Sequence, residues 1–191
     1  MENEIRPSGC NQDNERKVQV EAFLILMTLV VGILCRLIPH TPNLTPVGGL
    51  ALFSGFYFRR TLALAYGLPL VVLAVSDYFL GSDRVQIAVW FSFAVISWIG
   101  SCRFMQEGRA YAIGGATLAS SVIFFLVTNF AVWMGTQLYP HSFRGLLSCY
   151  GAALPFFGPF VLSTLATALL LWGPVLWMCR KTSTWVTAPS V

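Results

Sequence analysis

The sequence predicts an all-α integral membrane protein with six transmembrane helices, and three observations predict it. Of the 191 residues, 56% are apolar and only 10% charged, whereas a soluble domain carries about a quarter charged residues. The mean hydropathy is +0.69. Apolar runs of spanning length alternate with short basic clusters, as in a multi-pass protein. The net charge of +4 follows from those clusters and calls for no nucleic-acid partner.

Residues 1–19, MENEIRPSGCNQDNERKVQ, form a polar tail of mixed charge. No small-residue cleavage site follows the next apolar run, so that run reads as an uncleaved first span rather than a signal peptide. Six spans are expected, at about 20–38, 46–58, 61–80, 86–102, 111–135 and 155–178. They make a transmembrane domain of residues 20–180, followed by a short polar tail, 181–191. With the N-terminus inside, the cytoplasmic segments hold Arg6, Arg16, Lys17, Arg59, Arg60, Arg103, Arg109, Arg180 and Lys181. Only Arg36, Arg84 and Arg144 remain outside, a bias that sets an N-in, C-in topology. This places both tails on the cytoplasmic side of the membrane. Pro69, with Gly67, and Pro174 are expected to bend spans three and six. Gly114, Gly115, Ala119 and Ser120 offer span five a small-residue packing face.

The second span is short. Pro46 to Phe58 covers ~20 Å at 1.5 Å per residue, against a hydrocarbon core of ~30 Å. The Arg59-Arg60 pair fixes its inner end, so the shortfall lies outside. There the stretch PHTPNLT, Pro39 to Thr45, cannot form continuous helix because its prolines lack amide donors. Thr45-Pro46 then signals a helix start. The expectation is an outer loop dipping into the membrane. Irregular backbone at that depth persists only where protein buries it or where it lines a wet cavity. The alternative is a shallow loop on a locally thinned bilayer.

Further polar residues reach the same level. Asp77, in AVSDYFLG, sits near the outer end of span three, where an intramembrane acid marks a functional site or pairs with a cation such as Arg36. Asn129 and Trp133 lie four residues apart on one face of span five. They suit either ligand contact or interhelical bonding and an interfacial anchor. The last outer loop, QLYPHSFRGLLSCYG, supplies Tyr139 and His141 and has the length of a lid. His40 and His141, each after a proline, are either chance loop residues or ligands for a metal-bearing group. The five cysteines show no CxxC or CxxH spacing, so no zinc or redox site is expected. Cys35 and Cys149 read as free thiols, with a disulfide as the alternative.

The inner half reads as plain hydrophobic packing, with no file of acids for proton relay. No GxSxG, HExxH or nucleotide-binding GxxxxGK[ST] motif is present. The chain is therefore not expected to be an enzyme or to power transport itself.

The stretch RLIPHTPNLTPVGGLALFSGFYF resembles the signature of a family of small bacterial membrane proteins of unknown function, R-x-x-P-H-P-P-N-F-T-P followed by A-L-F-x-G. Thr41 and Leu44 stand where Pro and Phe are usual. SDYFLG, FLVTNFAVW and YP…GLLSCYGAALPFF fit the same family, so the resemblance covers most of residues 36–157. In size and layout that family is similar to the substrate-binding S components of energy-coupling-factor vitamin transporters. The solitary cobalamin S components, the BtuM type, look closest in size. The resemblance implies a vitamin-sized solute captured at the outer face and an energising membrane subunit as partner. In the cobalamin subtype a cysteine ligates cobalt, a role for which Cys35, Cys149, His40 or His141 are the candidates here. Span one carries only Ala22 and Gly32 as small residues and lacks the four-residue spacing by which S components engage that subunit.

The expected function is thus binding and uptake of a small solute, with no cofactor of the protein's own. Arg36, His40, Asn43, Asp77, Asn129, Trp133, Tyr139 and His141 are the expected lining. The alternatives are a structural or assembly protein, in which the polar cluster only pins helices, and an intramembrane enzyme dependent on His40, His141 or Asp77.

Overall fold

The computed structural model describes residues 8–38, 43–81, 83–107 and 109–181. They form six α-helices: α1 (Ser8–Leu37), α2 (Val47–Tyr57), α3 (Leu62–Leu80), α4 (Gln86–Ser101), α5 (Ala110–Gly135) and α6 (Phe143–Lys181). A short 3-10 turn, Arg103–Glu107, precedes α5. Four helices contain stretches long and apolar enough to cross a membrane: Val18–Leu37, Leu62–Leu80, Ala110–Gly135 and Phe143–Gly173. α2 and α4 are shorter.

The centre of the bundle explains the short second helix. α2 has 11 residues, nine of them buried, Val47 through Gly55 without interruption. It packs against all five other helices. A helix enclosed in this way need not match the bilayer thickness, because protein rather than lipid surrounds it. Its glycines permit the enclosure. A Cβ on Gly55 would overlap the carbonyl oxygen of Ser97 on α4, and one on Gly100 of α4 would overlap the carbonyl of Leu52. Each glycine thus faces the carbonyl three residues before the other, which is the geometry of two parallel helices crossing at a glycine–glycine contact. On another side, Gly48 and Gly49 admit Thr164 and Thr167 of α6.

Around α2, large side chains fill the remaining volume. Phe124 stacks on Phe160 with centroids 4.2 Å apart, and Phe93 meets Phe124 edge-on at 5.5 Å. Trp172, 1% exposed, stands edge-on to Phe53 at 5.1 Å. α1 is peripheral: only 11% of its apolar window is buried, and it leans mainly on α3.

Two expectations need correction. α6 starts at Phe143, twelve residues before the expected span at 155, and continues through Pro155 and Pro159. The long lid over the bundle is therefore mostly helix, and the α5–α6 connection is only 136–142. The first apolar span, Val18–Leu37, lies close to the expected 20–38, and its helix extends back to Ser8. The small-residue face of α5 is also displaced. Gly115 and Ala119 are exposed and no described atom lies near a Cβ on Gly114 or Gly115, while Ala112, Ala116, Thr117, Ser120 and Ser121 are buried. The packing stripe follows i, i+4 from Ala112 through Ala116 to Ser120, so of the four expected residues Ser120 belongs to it.

The half expected to be plain hydrocarbon also holds buried hydroxyls. Ser54, Ser97, Thr117 and Ser120 lack hydrogen-bond partners among the described residues, as does the indole N–H of Trp172. Ser54 and Ser97 flank the glycine crossing, so their small size is what the packing uses. Ser54→Ala and Ser97→Ala should be neutral, or stabilising by up to about 1 kcal/mol, because an unpaired buried hydroxyl costs desolvation. Denaturant titration of the purified variants checks this; a clear loss of stability in either would show that its hydroxyl is bonded.

Candidate functional site

The α1 C-terminus, the α2 N-terminus and the α3–α4 junction meet at one end of the bundle, and polar side chains concentrate there. Asp77, one turn before the end of α3, is 7% exposed. Its Oδ1 accepts a hydrogen bond from Arg36 Nη2 at 2.5 Å. Its Oδ2 accepts from Gln86 Nε2 at 2.8 Å and from Trp90 Nε1 at 2.9 Å. One carboxylate therefore ties α1, α3 and α4 together, with three donors on its two oxygens. Charge-assisted bonds of this kind are the strong ones, and the low dielectric raises the cost of losing any of them.

The sequence singled out Arg36 and Asp77 but missed Gln86 and Trp90. A signal existed: they lie four residues apart at the start of α4, just across the connection from Asp77, so both can face it.

The arginine side of this network opens on a cavity of about 240 Å³, lined by Arg36, Asn43, Thr45, Leu80, Val89, Phe93 and Phe124. Asn43 has φ of 64°, the left-handed conformation, the only non-glycine with positive φ among the described residues. Asparagine tolerates that region better than most residues. It turns the chain into Thr45, whose Oγ1 accepts from the Val47 amide at 3.4 Å. The expected start signal is thus present one residue along, with Pro46 at the cap position and α2 beginning at Val47. Phe93 and Phe124 bring the aromatic core up to the floor of the cavity. The opposite side of the Asp77 network borders a groove of about 320 Å³, lined by Ala74, Tyr78, Gln86, Ile87 and Trp90. Tyr78 and Ile87 are 83% and 81% exposed, which makes it a groove on the outside of the bundle.

The remaining candidates do not join this cavity. Trp133 donates its indole N–H to the Pro140 carbonyl at 2.9 Å, and His141 lies edge-on to it at 5.6 Å. Phe130 flanks the same indole. These contacts hold the 136–142 connection and place Trp133 and His141 apart from the Arg36 cavity. Asn129 turns its amide back onto the Phe125 carbonyl at 2.7 Å, a bond within its own helix. Tyr139 is half-buried in the connection and does not line the cavity. Of the eight expected residues, Arg36 and Asn43 line the cavity, Asp77 holds Arg36, and four lie elsewhere. His40 falls outside the described residues. So do the other residues of 39–42, and with them most of the expected dipping loop.

Trp133→Phe should leave the bundle intact but loosen the 136–142 connection, because only the indole bond to Pro140 is lost. Faster amide exchange at residues 136–146, with α2 unchanged, is the expected result.

Cys35 and Cys149 are free thiols, as expected; Cys149 is buried and directs its sulfur at the Asn129 carbonyl at 3.4 Å. Among the described residues no three histidine, cysteine or acidic side chains group as a metal site.

Comparison with known proteins adds one match. No curated protein and no solved structure matches the chain. Residues 16–186, nearly the whole chain, match the model described as "Family of unknown function (DUF6580)". The signature stretch, the Asp77 segment and the α5–α6 segment all lie inside those bounds, and the chain belongs to this family.

Proposed function

We propose that the chain is a multi-pass membrane protein of a bacterial inner membrane that binds a small solute in the Arg36 cavity and mediates its uptake. The cavity carries this reading: a charged, hydrogen-bonding rim of Arg36, Asn43 and Thr45 above an aliphatic and aromatic floor. Binding sites commonly combine mostly apolar walls with a few placed polar groups. The N-in, C-in orientation drawn from the basic residues puts this end outside, where a solute would be captured. A volume of about 240 Å³ favours a compact solute over a corrinoid, which would need the surrounding helices to part. The S-component resemblance supports the same role, with an energising subunit as partner.

A second reading, a structural or assembly protein, is favoured by one observation: the Asp77 carboxylate is already satisfied by three protein donors. The two are separable with Val89→Phe, which fills the cavity from α4 without touching Asp77. A thermal-shift screen of vitamins, amino acids and small organic acids should give at least one stabilising compound for the native protein and none for Val89→Phe. No shift for any compound would favour the structural reading.

A further inference from the structure

We propose that the solute held in this cavity is a small carboxylate with an apolar body, anchored on the guanidinium of Arg36. The inference rests on the solute-binding reading and specifies its chemistry. Among the described residues Arg36 is the one charged side chain lining the cavity, and Asp77 is absent from that lining. The acid instead lies behind the arginine, where Gln86 and Trp90 both donate to its second oxygen. Those two donors stabilise the carboxylate on the side away from the Arg36 bond, and among the described residues the guanidinium is the charged group that borders the cavity.

The guanidinium also has unused donor capacity. Its five N–H groups form a planar fork, and the bond to Asp77 uses Nη2. Nε has no partner among the described residues but is closed to solvent, so bonding to a ligand falls to the remaining Nη N–H groups. A carboxylate is the planar, two-oxygen acceptor that such a fork matches. α2 begins beside the same cavity, after Asn43 and Thr45, and the positive end of its dipole adds to the field.

The rest of the lining sets the body of the ligand. Leu80, Val89, Phe93 and Phe124 present hydrocarbon and aromatic edges, and Asn43 and Thr45 are neutral. No described acid lines the cavity to receive an ammonium group. An amine there would be stripped of water beside a like charge, which is unfavourable twice over. Asp77 is on this view a positioning residue that holds the guanidinium at the rim.

The test compares three molecules with one body: 3-phenylpropanoate, 3-phenylpropanamide and 3-phenylpropylamine, measured by equilibrium binding to the native full-length protein in lipid nanodiscs at pH 7. Hexanoate, hexanamide and hexylamine repeat the comparison with a flexible body. The carboxylates should bind at least tenfold tighter than the amides, with no binding of the amines. Arg36→Gln should erase that preference. Because that variant strands Asp77 without its cation and risks misfolding, Val89→Phe serves as the second control and should lose the carboxylates with the fold intact. Amides or amines binding as tightly as carboxylates would overturn the anion assignment while leaving solute binding standing. Binding of none of the six would overturn both.

Discussion

Removing the carboxylate at position 77 is expected to be the most damaging single change in the protein. In Asp77→Ala, the Arg36 charge and the Gln86 and Trp90 donors lose their shared acceptor in one step. Breaking one side of a buried ion pair costs about 3–5 kcal/mol, because the remaining charge stays buried without compensation. Asp77→Asn fares little better despite its shape. An amide offers one oxygen, so its NH₂ must face either the arginine or the Gln86 and Trp90 donors. A double variant, Arg36→Leu with Asp77→Leu, removes both charges and should be more stable than either single replacement. Denaturant titration of the four proteins gives the coupling energy directly. A coupling below about 1 kcal/mol, typical of exposed pairs, would show that the network does not hold this end of the bundle.

The second large effect is expected at the α2–α4 crossing. A methyl on Gly55 or Gly100 meets backbone carbonyl of the facing helix, not a side chain that can turn away. Overpacking of this kind costs about 1–3 kcal/mol, and more where backbone must move. Since α2 touches every other helix, displacing it disturbs the whole bundle. Gly55→Leu and Gly100→Leu should fail to give a monodisperse protein in detergent, and the alanine variants should be folded with lowered melting temperatures. Gly115→Ala and Gly151→Ala, with open space at the added methyl, serve as controls and should behave as the native protein. Equal behaviour of all four alanine variants would exclude the close crossing.

How much of this was legible in the sequence depends on the kind of signal. The helical class, the six helices and the short α2 follow from hydropathy and from Pro46, Arg59 and Arg60, which are local. Arg36 and Asp77 were legible as partners because charges at matching depth inside a membrane segment must be compensated. Gln86 and Trp90 were not read, since neutral polar side chains carry no such demand. The aromatic floor of Phe93 and Phe124 was likewise hidden, because a phenylalanine in an apolar helix looks the same facing lipid, core or cavity. The failure at α6 has a different cause. The expected span opened at 155, whereas the helix begins at Phe143 and runs on through Pro155 and Pro159, since proline is tolerated within membrane helices where neighbouring groups satisfy the freed carbonyls. Trp133 and His141, read either as ligand contacts or as an interfacial anchor and a chance loop residue, lie together in the α5–α6 connection, away from the Arg36 cavity.

Solute binding by the Arg36 cavity is tested most directly by native mass spectrometry of the protein extracted from its own membrane in mild detergent. The native chain should carry one small molecule in stoichiometric amount, identified after release by its mass and by absorbance between about 300 and 600 nm. Val89→Phe should fold and carry none. A native protein that arrives empty, or a Val89→Phe variant that retains the same molecule, would contradict a binding site at Arg36.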